Sequence, residues 1–253
     1  MNRTLSISFV LAVGLAVGTP AQAKPKVTAA AAGGPTACGF KSMPLAVGNT
    51  WTYKAGPAQI VLKITAVGPG KDWNGKAATV IDVEELYAGR TVKTSLSCTA
   101  GGGLYVPPDS FLFSGEPGGG VGTQFNVTSH DRPWLVPEEQ LVGDVAWVEV
   151  VKAEATRPDT AASGAQNTAA KVELERHAQL KGNETVTIGI GQFSAEKVAF
   201  ELRGRATIDD QKAEVPIKRP ATMWYTKGIG LVKIEDAFDK TWELAESSLI
   251  SAK

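Results

Sequence analysis

The chain has 253 residues, with 26 Lys and Arg against 26 Asp and Glu, two cysteines, two histidines and 27 glycines. A formal charge of zero without a basic run excludes the electrostatic footprint of a nucleic-acid binder, and two cysteines exclude a Cys-rich zinc site or an iron–sulfur cluster. A hydrophobic content of 43% argues against a wholly disordered chain, and the length suits one large all-β domain or two small ones.

Arg3, the apolar stretch from Leu5 to Val17 and the small-residue ending Ala21-Gln22-Ala23 have the layout of a secretory signal peptide, residues 1–23, with cleavage expected after Ala23. No later stretch approaches the roughly 20 apolar residues of a spanning helix, so the mature chain is expected to carry no transmembrane segment. Cleavage removes Arg3 and no acid, which leaves the mature chain close to neutral. Residues 24–37 (KPKVTAAAAGGPTA) read as a flexible linker, and residues 38–253 as a single secreted β-domain. Cys38 lacks the aliphatic neighbour of a lipoprotein cleavage box, and no basic cluster flanks it in the way a reactive thiol needs. In an oxidising compartment Cys38 and Cys98 are expected to form one disulfide, whose loop of roughly 60 residues stabilises by about 4 kcal/mol in the chain-entropy model.

From Asn49 onward, short runs rich in Val, Ile, Thr, Trp and Tyr alternate with turn chemistry. Asn49–Tyr53, Gln59–Val67, Lys76–Tyr87 and Arg90–Thr99 form a predicted four-strand meander, with turns at Asn74-Gly75 and Ala88-Gly89. Val145–Val150, Lys171–Leu180, Glu184–Ile190, Glu196–Ile208, Glu214–Lys218, Thr222–Thr226, Leu231–Glu235 and Thr241–Leu244 follow as further strands. Hairpins are expected at Lys181-Gly182-Asn183, Asp209-Asp210, Lys227-Gly228 and Asp239-Lys240. Val198, Phe200 and Leu202 alternate with Lys197, Glu201 and Arg203, as in a sheet with one buried side. The Gly-rich loop 114–123 and the low-complexity loop 157–170 interrupt the rhythm and are expected to be mobile. The expected fold is all-β: a curved antiparallel meander sheet, half-barrel or sandwich-like, with room for one short helix.

Chemistry-bearing residues are sparse. Neither Gly101–Gly103 nor Gly118–Gly120 leads into Lys-Ser/Thr or a helical pattern, so neither is a phosphate-cradling loop. Ser129, His130 and Asp131 are consecutive, and an extended chain points them to alternate sides, which defeats a catalytic triad. His130 with Asp131, Glu138 and Glu139 is the only grouping that suggests a cation, while His177 stands far away in sequence. Asp209-Asp210 reads as a turn and Glu84-Glu85 as strand-face charge. No catalytic residue, metal ligand or cofactor is called for. Trp51, Trp147, Trp224 and Trp242 fall in strands and are expected in the core. Trp73 and Trp134 fall in loops and are the candidate ligand-binding residues, since an exposed aromatic in a secreted β-protein can bind sugar or lipid.

Three segments carry a resemblance: Pro44–Tyr53 (PLAVGNTWTY), Gly191–Val198 (GQFSAEKV) and Trp224–Lys233 (WYTKGIGLVK). Their order resembles a broad group of bacterial secreted and lipoprotein β-domains, TapB-like ones among them, which at fold level are similar to the half-barrel of the LolA/LppX lipoprotein carriers. The resemblance spans most of Pro44 to Leu244, and its motifs are structural turns and strand aromatics. Together these readings point to a non-enzymatic cell-envelope or secreted module that binds a hydrophobic ligand, such as a lipid, or an envelope protein on the concave face of its sheet. A secreted hydrolase using the His130 loop, or a purely structural surface protein, are the alternatives.

Overall fold

Alternating apolar and polar side chains commit each strand to one buried face, and hairpin turns between consecutive strands pair them antiparallel. The computed structural model describes residues 37–99, 101–116, 124–131, 133–135, 145–157, 168–208, 213–236 and 239–250. The signal peptide, most of the 24–37 linker, Gly118–Gly120, Glu138, Glu139, the Asp209-Asp210 turn and most of the two loops 114–123 and 157–170 lie outside them.

The first strands are β1 (Thr50–Ala55), β2 (Ala58–Lys71), β3 (Ala77–Tyr87), β4 (Arg90–Cys98) and the two-residue β5 (Leu104–Tyr105). The helical turn α1 (Phe111–Ser114) follows, then β6 (Gln124–Asp131), β7 (Ala146–Arg157), β8 (Thr168–Ile188), β9 (Gly191–Ile208), β10 (Ala213–Thr226), β11 (Gly230–Glu235) and β12 (Thr241–Ser247). All belong to one sheet in the order β5-β4-β3-β2-β1-β12-β11-β10-β9-β8-β7-β6. The first and last strands are therefore neighbours in mid-sheet, with Trp51 opposite Ser247, while the two edges, β5 and β6, come from the middle of the chain.

Two strands are longer than the sequence suggests. The expected hairpin at Lys181-Gly182-Asn183 is a β-bulge inside β8. Leu180 faces Val198 and Asn183 faces Glu196, so Lys181 and Gly182 together oppose Lys197, and Gly182 takes the left-handed φ of 89° that the kink requires. Likewise Glu214–Lys218 and Thr222–Thr226 are one strand, β10. Its Pro216 and Pro220 are tolerated because β11 pairs only from Thr222 onward, leaving the prolines on a stretch with a neighbour on one side alone. Sequence reasoning missed β5 and β6; α1 is the one short helix it left room for without placing it. His130 and Asp131 thus belong to a strand, not a loop.

The three resemblance segments meet. Trp51 Nε1 donates to the Ile229 carbonyl at 2.6 Å and Tyr53 Oη to the Leu231 carbonyl at 2.9 Å. Ser42 Oγ, just before the first segment, bonds Glu196 of the second. Gly230, at φ 104°, passes so close that a Cβ there would lie 3.1 Å from Trp51 Nε1. The Cys38–Cys98 disulfide forms as expected and ties the N-terminal segment to the end of β4.

The concave face is not open. Phe111 of α1 packs on Tyr53 at 5.3 Å and on Trp242 at 5.4 Å, ring to ring, and Phe40, Met43 and Leu45 join the same buried cluster. Glu85, expected as a strand-face charge, is buried because it holds this helical turn: its carboxylate accepts from Ser110 Oγ at 2.7 Å and from the Phe111 amide at 3.0 Å. The opposite face is solvated and charge-paired, with Glu173 between Lys152 and Arg205 and Glu201 beside Arg203 and Lys218. Exposed pairs of this kind add little stability; they account for the balanced composition.

Candidate functional site

Where the sheet's two edges meet, register shows how they are arranged. Tyr105 pairs with Ser97, which pairs in turn with Val80; these residues share the outer face, since Leu96 and Ile81 beside them point into the core. Yet the Tyr105 ring lies 4.5 Å from that of His130, on the inward side of β6. The β5 edge therefore tucks beneath the β6 edge and the sheet overlaps itself like a scroll. Residues 133–135 strap the seam: Leu104 N donates to the Leu135 carbonyl at 2.9 Å, and Trp134 N to the Leu104 carbonyl at 2.8 Å.

Inside the seam is a buried polar centre. Glu149 and Arg176 are directly opposed on β7 and β8, at inward positions otherwise held by Trp147, Val151, Leu174 and Ala178; the two are 0% and 2% exposed. His130 pairs with Val151, so Glu149 is its diagonal neighbour on the same face, and His130 Nε2 donates to Glu149 Oε1 at 2.8 Å. Arg176 Nη1 donates to the Trp134 carbonyl at 3.0 Å, and its guanidinium stacks 4.2 Å from the centroid of the Phe200 ring and 5.0 Å from that of Trp134. Burial pushes the Glu149 carboxyl above its usual range, against the pull of His130 and Arg176, and draws the Arg176 guanidinium below its own. Burial opposes the charge on both groups, so their mutual attraction offsets a desolvation cost and adds little net stability. Glu149 Oε2, Arg176 Nε and Trp134 Nε1 have no hydrogen-bond partner.

Outside the seam, a cleft of about 340 Å³ opens between the β4–β5 surface and β6. Its walls include Trp73, Tyr105 and Phe125, with the polar groups of Ser95, Ser97 and Asp109. Its charged groups balance: Lys71 and Lys93 against Asp72 and Asp109. Asp72 is spent on the β2–β3 turn, accepting from the Asn74 and Lys76 amides at 2.9 Å, and Lys93 pairs with Glu84 at 3.4 Å. Burial raises the pKa of the Asp109 carboxyl and of the Tyr105 hydroxyl. Ser97 Oγ is buried on this face without a partner, and Thr94 Oγ1 is likewise unpartnered on the core face beside Val83, a condition that costs about 1–3 kcal/mol per group. The His130 ring closes the cleft from behind, 5.8 Å from Trp73, with its side chain 3% exposed.

The sequence candidates divide accordingly. Trp73 lines the cleft, whereas Trp134 is a buried part of the strap. His130 is sealed and its Nε2 is engaged by Glu149; Ser129 and Asp131 on either side of it are exposed. His177 lies on the outer face against Glu175, far from His130 in the sheet. Among the described residues no three His, Cys, Asp or Glu side chains gather to hold a metal ion, and no helix is long and apolar enough to cross a membrane. Sequence reasoning missed Tyr105, Asp109, Glu149 and Arg176. The available signal was a charge in an apolar register: Glu149 within Trp147-x-Glu149-x-Val151, and Arg176 within Leu174-x-Arg176-x-Ala178.

No protein-family model matches the chain, and no curated protein matches it in sequence. Solved structures do. A candidate lipoprotein of Parabacteroides distasonis aligns with a TM-score of 0.44 and 14% identity, over 82% of this chain and 98% of its own. A candidate exported protein with a YmcC-like fold from Bacteroides fragilis aligns with a TM-score of 0.39 and 12% identity, over 81% of this chain and 98% of its own. Likeness at this level bears on neither ligand nor partner.

Proposed function

We propose that the protein is an exported cell-envelope module that binds a small ligand, without chemical turnover, in the cleft between its overlapping sheet edges. The observation that carries this reading is the cleft itself, where the half-buried rings of Trp73 and Phe125 stand beside the buried Ser97 hydroxyl, which has no partner within the chain. The signal-peptide reading of residues 1–23 and the Cys38–Cys98 disulfide both support a place outside the cytoplasm. A lipid carrier built as an open half-barrel needs a free apolar concavity, and α1 occupies that space here. A hydrolase built on His130 needs an accessible ring with a nucleophile beside it, and the ring is enclosed by Tyr105, Trp73 and Glu149.

The test is a small-molecule panel read by tryptophan fluorescence and by the indole resonances of Trp73. A ligand that shifts the wild-type signal is expected to lose its heat of binding on Trp73→Ala, read by calorimetry because the variant lacks the reporter indole, with the thermal melt unchanged. Binding that survives this substitution, or a lipid-sized adduct in native intact-mass spectra, overturns the cleft reading.

A further inference from the structure

Resting on that reading, we infer that the ligand of the cleft is an uncharged carbohydrate. Its charged wall groups cancel and are largely committed elsewhere: Asp72 to its turn, Lys93 to Glu84. An anionic headgroup or phosphate therefore finds a single uncommitted lysine, Lys71, set against two wall carboxylates, and no clustered cationic field. What remains is a set of apolar ring faces, Trp73 and Phe125, beside short polar groups, Asp109 and the unpartnered Ser97. A pyranose has the complementary chemistry: C–H faces that pack on aromatic rings and equatorial hydroxyls that both donate and accept.

Two other ligand classes fit less well. An acyl chain gains about 0.8 kcal/mol per buried CH₂, and a short cleft whose walls alternate aromatic and polar groups gives it little continuous apolar length. An extended peptide would bind by adding a strand to a sheet edge; the β5 edge bordering the cleft is already paired with the Trp134–Leu135 strap, which leaves β6 as the one edge there a peptide could extend. A sugar needs no free ladder.

The experiment titrates the disulfide-intact protein with maltotriose, cellotriose and chitotriose, and in parallel with a blocked tetrapeptide and phosphatidylcholine vesicles. It follows the Trp73 indole resonance and heat of binding. At least one trisaccharide is expected to bind saturably, about tenfold more weakly to Trp73→Ala, the loss a stacking ring accounts for, with Trp73→Phe intermediate. Asp109→Asn is expected to weaken it further without changing the melt at acid pH. Binding of the peptide or vesicles alone, lost in Trp73→Ala, overturns the carbohydrate inference and leaves the cleft reading standing. Trisaccharide binding unaffected by Trp73→Ala overturns the cleft as its location. A trisaccharide panel with no binding, in a protein shown to be folded, overturns the inference.

Discussion

Replacing Arg176 with methionine tests the buried polar centre directly. The new side chain stays unbranched and packs between Phe200 and Trp134, but Glu149, wholly inside the sheet, keeps only His130 as a partner. The two groups act on each other through space, without a direct ion-pair contact, so the loss is the guanidinium's coulombic support of the buried carboxyl and its charge-assisted hydrogen bond to the Trp134 carbonyl, together about 3 kcal/mol. At roughly 2–4 °C per kcal/mol for a domain of this size, Arg176→Met is expected to lower Tm by on the order of 10 °C. Adding Glu149→Leu removes the stranded charge as well, so the double variant is expected to recover at least about 2 kcal/mol relative to Arg176→Met alone. Urea unfolding of the four proteins in the cycle, with the disulfide intact, measures both quantities. Additive losses, or an Arg176→Met variant within about 1 kcal/mol of the parent, refute the assignment of these two groups as a desolvated pair.

Three further outcomes are expected. Reducing Cys38–Cys98, or replacing both cysteines with alanine, opens a loop of 60 residues and lowers stability by about 4 kcal/mol; a Cm unchanged by reduction contradicts this. Gly230→Ala forces an L-residue to φ 104° and pushes a methyl against Trp51, breaking the Trp51–Ile229 bond, at a cost of about 2 kcal/mol; denaturant melts with tryptophan emission report both effects. Asp109 has a folded-state pKa raised by burial, so its contribution is fully present below the unfolded pKa and is lost as pH rises through the folded one. Asp109→Asn is therefore expected to match the parent below about pH 4 and to exceed it in Tm at neutral pH; a Tm difference that does not vary with pH refutes the burial argument.

The sheet was legible wherever alternation ran for several residues, as in Val198, Phe200 and Leu202, because period 2 is a property of the local chain. Length and register were less so. Gly182 looks the same in a hairpin as in a bulge, and only the run of β9 opposite decides between them. The four residues of α1 are too few to show helical periodicity, and its defining contact, Glu85 to the Phe111 amide, joins positions 26 apart. The candidate site was harder still. Trp73 was visible as a loop aromatic, but Tyr105 reaches His130 only because one sheet edge slides beneath the other, a non-local event. Glu149 and Arg176 stand 27 positions apart in sequence, and only the pairing of β7 with β8 brings them face to face inside the sheet.

The position of β1 and β12 at the centre of the sheet has a consequence for biogenesis. A chain threaded through an export channel from its N-terminus delivers β1 among the first strands and β12 last. The N-terminal meander can close its hairpins early, but the second side of β1 stays unpaired until residues 241–247 have crossed, and the carbonyls of Ile229 and Leu231 that hold Trp51 and Tyr53 arrive scarcely sooner. Throughout that interval an aromatic strand edge is open to foreign pairing. For any chain that emerges N-terminus first, the sheet therefore closes only once its last strand is out.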